Sequence, residues 1–137
     1  MVIVFDGDIF EEKVSGYEEL IASIEETDIA AVTNPGFELF LILHISGSFE
    51  QCIRNREADF LKRDDAGKYS YAATVFRKLT GMNAKKNPAV GELAANIHVA
   101  IAQEKRINQD IHRIRGIVSS NIGKIIEDII AERPDLD

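Results

Sequence analysis

The chain has 137 residues, which fits one domain of ordinary size, and 45% of them are hydrophobic, as in a globular protein. Its longest apolar run, 37–45, is far shorter than the ~20 residues that a membrane helix needs, so we expect no membrane contact. The single cysteine, Cys52, excludes an internal disulfide and fits a reducing cytoplasm. The net charge of −7 argues against a simple nucleic-acid coat.

The first third of the chain predicts a βαβ unit. Residues 2–5 are β-branched or aromatic without interruption, which predicts a fully buried strand. Apolar residues at helical spacing predict a helix over 11–26, and residues 29–33 predict a second buried strand. A strand, helix and strand within so short a segment predict a parallel pair with a right-handed crossover.

Two capping signals follow the second strand. Asn34 is a good N-cap and Pro35 suits the first helical position, so they predict the start of a helix. The following segment, 37–45, is apolar nearly all round; we favour a buried helix over a long core strand. Ser48 stands at capping-box spacing before a glutamine, which predicts a helix over 49–61.

The rest of the chain predicts helices. A polar loop over 62–68 precedes a short helix, 71–79, which Gly81 ends. The longest helical pattern begins at an Asn-Pro pair and runs over 88–116, and a last helix covers about 121–132. The fold class is therefore α/β, a small parallel sheet followed by a largely helical C-terminal half.

Two aspartates follow the first strand directly. Asp6 and Asp8 are separated by Gly7, and residues two apart on an extended chain point the same way. Two carboxylates at a strand end form an oxygen-rich site of the kind that Mg²⁺ prefers, although Asp and Gly are also common turn residues. Haloacid-dehalogenase phosphatases and TOPRIM-type metal sites both use such an arrangement. The first class normally has Gly-Thr next, and Ile9-Phe10 here counts against it.

Three polar residues interrupt the apolar segment that follows the second strand. In a helix, Asn34 and Glu38 lie one turn apart on one face, whereas His44 points elsewhere. The plainer interpretation is a capped buried helix with Glu38 near its positive end and His44 as a satisfied core histidine.

These residues resemble a known family. Asn34-Pro35-x-Phe37-Glu38-Leu39-Phe40-Leu41-x-Leu43-His44 is similar to the Asn-Pro-Cys-Phe-Glu-Leu-Trp-Leu-Leu-Leu-His motif of RloB-like proteins, which belong to abortive-infection (AbiL-type) phage-defence loci. Asp6-Gly7-Asp8 resembles the family's Asp-Arg-Asp strand end. Weaker similarities are Lys68-Tyr69 and the segment 119–124.

The resemblance implies a TOPRIM-like core and a nuclease-like role with Mg²⁺ or Mn²⁺. It makes Asp6 and Asp8 metal ligands, with Asn34, Glu38 and His44 facing the same site or orienting its ligands. It also implies a nucleic-acid substrate, DNA or RNA, and a partner ATPase encoded nearby. On this interpretation 1–137 is one RloB-like domain with an α/β metal-site part and a helical part, divided as 1–47 and 48–137.

The chain departs from the family pattern in three ways. It lacks the N-terminal strand with a Glu-Gly-x-x-Glu element, and Gly7 and Gly36 replace the usual arginine and cysteine. A non-catalytic subunit that docks on a partner ATPase is therefore the main alternative. An incomplete sheet would expose a strand edge, from which we expect a homodimer.

Basic residues provide a weaker candidate site. Six of them could line a phosphate-binding groove, and four of the six fall in the predicted long helix, although we favour a solvated face. The six are Lys85, Lys86, Lys105, Arg106, Arg113 and Arg115.

Overall fold

The structure is a computed structural model, and it describes residues 1–7, 16–61, 70–81 and 88–132. Its elements, in chain order, are β1 (Val2–Asp6), α1 (Tyr17–Glu25), β2 (Ile29–Asn34), α2 (Phe37–Leu43), a π-helical turn (Phe49–Ile53), α3 (Glu57–Phe60), α4 (Tyr71–Thr80), a 3₁₀ segment (Pro88–Asn96), α5 (Ile97–Glu104), β3 (Ser119–Ser120) and α6 (Ile122–Glu132).

The strands form one mixed sheet in the order β1-β2-β3. β1 runs parallel to β2 with Val4 beside Ala31, which confirms the predicted parallel pair and the βαβ unit. β3 lies antiparallel to β2, with Ser120 beside Thr33, so the expectation of a wholly parallel sheet is wrong. β3 has only two residues, too few to give a hydrophobic pattern in the sequence.

Within the described residues β1 lies at one edge of this sheet, and it is not fully buried as predicted. Its exposure alternates, and Val2 and Val4 keep 38% and 56% of their surface accessible. Their neighbours Ile3 and Phe5 are half-buried on the other face. The continuous apolar run did not distinguish a strand covered on both faces from one covered on a single face.

Two hydrophobic clusters cover the two faces of β2. Ala31 belongs to the larger cluster, which α2, α4, α5 and α6 build on one face. Val32, the next residue, belongs to a smaller cluster on the α1 face, as the alternation of a strand requires. The members of this smaller cluster are Tyr17, Ile21, Ala30, Val32, Ile111 and Ile114.

α2 confirms the helical interpretation of the apolar segment, and every residue from 39 to 43 is buried. Asn34 is not its N-cap, because Asn34 is the last residue of β2 and Gly36 holds the N-cap position. The Phe37 N–H donates instead to the Asp6 Oδ1 atom, 3.0 Å away. The first free N–H of the helix is thus satisfied by the end of the neighbouring strand.

The predicted helix over 49–61 is broken. Ser48 does not cap it, because its hydroxyl donates back to the Ile42 carbonyl at 2.7 Å. Asn55 adopts a positive φ of 64°, which interrupts the chain between the π-helical turn and α3.

The long helix predicted over 88–116 is also wrong at both ends: Pro88–Asn96 is a 3₁₀ segment, and the α-helix that follows it ends at Glu104 instead of Gly116. Asn108 and Asp110 explain this, because their side-chain oxygens accept from the backbone N–H groups of Asp110 and His112 and form tight turns. The segment then crosses to the α1 face and returns as β3.

The helix predicted over 11–26 is confirmed only in part, because α1 begins at Tyr17 and residues 11–15 lie outside the described residues. The helices near 71–79 and 121–132 agree with the sequence. α4 ends at Gly81, whose φ is 74°, and the Ser70 hydroxyl accepts from the Ala73 N–H at its start. α6 corresponds to the predicted last helix. In the described parts of the chain, no helix is both long and apolar enough to cross a membrane.

Candidate functional site

Asp6 closes β1 at the carboxyl end of the parallel pair, where side chains of neighbouring strands meet. Its carboxylate is exposed, and its Oδ1 atom accepts the hydrogen bond from the Phe37 N–H. The start of α2 therefore fixes the orientation of this carboxylate. The second oxygen, Oδ2, is directed toward Gly36.

Glu38 brings a second carboxylate to the same place. A Cβ atom added to Gly36 would lie 3.2 Å from Glu38 Oε2 and 3.4 Å from Asp6 Oδ2. The two oxygens therefore lie on the same small patch around Gly36, separated by no more than the sum of those distances. Glu38 is half-buried, so the pair opens to solvent on the Asp6 side.

Gly7 is packed too tightly for any side chain. An added Cβ would lie 2.8 Å from Asn34 Oδ1 and 3.1 Å from Ile114 Cδ1. The Gly7 N–H continues the strand by donating to the Thr33 carbonyl at 2.7 Å. The buried side chains of Asn34 and Ile114 therefore approach Gly7 too closely for a residue with a side chain.

Asn34 is completely buried and does not face the carboxylate pair. Its Nδ2 atom donates to the carbonyl oxygens of Ile114 and Ile117, at 3.0 and 3.1 Å. It thereby fixes the segment that precedes β3 against the end of β2. Asn34 therefore stabilises the backbone next to the candidate site and does not contribute a group to it.

His44 lies at the opposite end of α2 from Glu38. Six residues of helix separate them, which is about 9 Å along the axis. The His44 Nδ1–H donates to the Phe40 carbonyl at 2.9 Å, and the two rings meet edge to face at 4.9 Å. Burial lowers the pKa of His44, so it is a neutral core histidine. The structure does not bring it to the Asp6 carboxylate.

Asp8, the second predicted metal ligand, lies outside the described residues. Within the described ranges, no group of three or more His, Cys, Asp or Glu side chains is arranged to hold a metal ion. Within these ranges Asp6 and Glu38 together supply two carboxylate groups.

Thr33 is a site residue that sequence reasoning missed. It is fully buried beside Asp6 in the register of the sheet, and its hydroxyl Oγ1 has no hydrogen-bond partner among the residues that the structure describes. Residues paired across strands point to the same face, so this hydroxyl and the Asp6 carboxylate share the α2 face. The one signal in the sequence was its position, one residue before Asn34 at the end of a buried strand.

The basic residues do not share a helix as predicted. Arg106 lies over the Phe49 ring at 4.4 Å and forms an ion pair with Glu50, and Lys105 pairs with Glu127 at 3.0 Å. These two cations are tied to surface carboxylates. Lys85 and Lys86 lie outside the described residues.

Comparisons with models of protein families, with curated proteins and with solved structures found no match to this chain.

Proposed function

We propose that this chain is a TOPRIM-like, RloB-type phage-defence domain that binds Mg²⁺ or Mn²⁺ and cleaves phosphodiesters in DNA or RNA. The observation that carries the proposal is the convergence of Asp6 Oδ2 and Glu38 Oε2 around Gly36. The similarity of Asp6-Gly7-Asp8 and of 34–44 to the RloB-like motifs supports the substrate class.

The carboxylate pair suits a hard cation for two reasons. Mg²⁺ is bound through one or two carboxylates and keeps several waters and substrate phosphates as its other ligands. Asp6 is also preorganised, because the Phe37 N–H holds Oδ1 and leaves Oδ2 available to the metal. In this mechanism Asp6 and Asp8 hold the ion, and Glu38 is a further ligand or the base that activates water.

Exposure of the pair suits a large substrate. Asp6 is solvent-exposed at the carboxyl end of β1, so a nucleic-acid backbone can approach from that end of the sheet without entering a cleft. A cation held by these carboxylates would offset the repulsion between a phosphate and the net charge of −7.

A metal titration tests the proposal. With MgCl₂ or MnCl₂ at ten times the dissociation constant, binding stabilises the fold by about 1.4 kcal/mol, which raises the melting temperature by a few degrees. Asp6→Asn keeps an oxygen for the Phe37 N–H but removes the charge, so the shift is lost. Glu19→Gln, an exposed substitution on α1, keeps the full shift. Equal shifts in wild type and Asp6→Asn would exclude this site.

Nuclease activity is the second test. The wild type is incubated with single- and double-stranded DNA and with transfer RNA in Mn²⁺, alongside Asp6→Asn. We expect metal-dependent cleavage that the variant lacks. A metal-dependent thermal shift without cleavage would support metal binding and disprove catalysis by the isolated chain.

A second candidate function is a non-catalytic subunit that docks on a partner ATPase of a defence system. The observation that favours it is the exposed apolar edge strand, on which Val4 is 56% accessible. A chain that shows no response to metal and no cleavage would favour this alternative.

A further inference from the structure

The outer edge of β1 presents unpaired backbone groups. The Ile29 N–H donates to the Met1 carbonyl at 2.9 Å, and the Gly7 N–H donates to the Thr33 carbonyl at 2.7 Å. In a parallel ladder alternate residues of a strand bond to the same neighbour, so the odd-numbered residues of β1 face β2. Val2, Val4 and Asp6 therefore direct their N–H and C=O groups away from β2, toward an edge that no other described strand covers.

The side chains beside this edge are apolar and exposed. Val2, Val4 and Ile29 are 38%, 56% and 51% accessible, and the register places all three on one face of the sheet. Ala31 on the same face packs into the cluster that contains Ile122 of α6. The exposed patch thus borders the larger hydrophobic cluster.

We propose that β1 pairs antiparallel with β1 of a second copy, about a twofold axis through Val4. This register places Val4 opposite the partner's Val4 and Asp6 opposite the partner's Val2. No carboxylate then faces a carboxylate, whereas a pair centred on Asp6 would oppose two like charges directly. The outward N–H and C=O groups of the three residues in each strand then form hydrogen bonds with those of the partner strand. The two sheets become one sheet of six strands.

The strand edge alone makes a small interface. An edge of five residues buries far less than the ~800 Å² per partner of a standard interface, so we expect a weak dimer that forms at high protein concentration. α6 packs against β2, and in the joined sheet the two copies of β2 lie three strand spacings apart, about 14 Å. This separation exceeds the 8–10 Å of directly packed helices, so the paired β1 strands and their exposed valines carry the contact.

Sedimentation in EDTA tests the dimer without involving the metal site. We expect two chains per particle for the wild type and one for Val4→Lys, which places like charges on the axis. Leu20→Lys, a matched substitution at a 48% exposed position on α1, remains a dimer. A wild type that sediments as a single chain at every concentration, or a dimeric Val4→Lys, would overturn the proposal. Because EDTA removes divalent ions, this result is independent of the proposed nuclease function.

A cysteine cross-link tests the register. Opposed residues of a hydrogen-bonded antiparallel pair have Cα atoms about 5.5 Å apart, which lies within the range of a disulfide. In a Cys52→Ser background, Val4→Cys therefore forms a covalent dimer on mild oxidation. Val2→Cys faces the partner's Asp6 and does not. Cross-linking at position 2 and not at 4 would show that the register is wrong.

Discussion

At the scale of single residues, Gly7 imposes a steric requirement that can be measured. Gly7→Ala places a methyl group 2.8 Å from Asn34 Oδ1, closer than side chains tolerate. We expect a loss of about 1–3 kcal/mol in the free energy of unfolding, measured in urea. Gly91→Ala is the control, because nothing lies within 4 Å of its added methyl group. Equal stability of the two variants would show that Gly7 is not packed as described.

Two histidines respond to pH in opposite directions. The Glu18 carboxylate, 3.3 Å from Nδ1, and the Glu25 carboxylate, 2.8 Å from Nε2, raise the pKa of His112, whereas burial lowers the pKa of His44. Stabilisation by His112 is complete below its unfolded pKa of about 6.5 and is lost as pH rises through the higher folded pKa. Conversely, His44 reduces stability as pH falls below about 6.5, because the unfolded chain binds a proton that the folded chain does not.

NMR titration of the ring signals checks these directions. We expect His112 to titrate above, and His44 below, the value of about 6.5 found in peptides. His112→Gln should lower the melting temperature slightly at acidic pH and not at alkaline pH, since exposed pairs contribute about 1 kcal/mol or less. The reverse order of the two titrations would contradict the placement of both rings.

At the scale of elements, Glu104 links α5 to the start of α6. Its carboxylate is fully buried and accepts from the N–H groups of Gly123 and Lys124, at 2.6 and 2.9 Å, and from the Ser120 hydroxyl at 2.7 Å. The first turn of a helix has free N–H groups, and a carboxylate satisfies both their hydrogen bonds and the helix dipole.

Glu104→Gln tests this link. The glutamine side chain keeps one acceptor oxygen, but its NH₂ group faces the N–H and hydroxyl donors that the carboxylate accepted from. We therefore expect a loss of about 2 kcal/mol in the free energy of unfolding. Glu127→Gln serves as the comparison, because its exposed pair with Lys105 contributes about 1 kcal/mol or less. If the two substitutions had the same effect in chemical denaturation, Glu104 would not be the cap of α6.

The elements that the sequence predicted correctly are those with strong local signals. α4 has a serine cap and a terminal glycine, and α6 has isoleucines at helical spacing. The mispredicted elements depend on distant partners. Asn34 bonds to residues 80 and more positions away, and Asp6 satisfies α2 across the chain, so neither role is encoded in nearby residues.

The features of the candidate site also fall into two groups, those that a local pattern predicts and those that depend on distant contacts. The position of Asp6 at a strand end followed from a local pattern, and its convergence with Glu38 was implied by the resemblance. The exclusion of His44 from the site follows from its location at the other end of α2. The buried hydroxyl of Thr33 depends on strand register, which a single short strand does not reveal.

At the scale of the whole molecule, stability is concentrated in β2. This strand has neighbours on both sides and hydrophobic clusters on both faces, whereas β1 has one neighbour and one exposed face. Amides in the centre of such a structure exchange with solvent only when much of the molecule unfolds.

Hydrogen exchange therefore distinguishes the two strands and also reports on the proposed dimer. We expect the amide of Val32, which donates to Asn121 Oδ1 at 2.8 Å, to be among the slowest at every protein concentration. The amide of Val4 points to the open edge and exchanges quickly in dilute protein. Since the proposed partner strand accepts this N–H, its protection should rise with protein concentration in the wild type and not in Val4→Lys. An amide at position 4 that is protected equally at all concentrations and in both proteins would mean that the edge is closed within one chain.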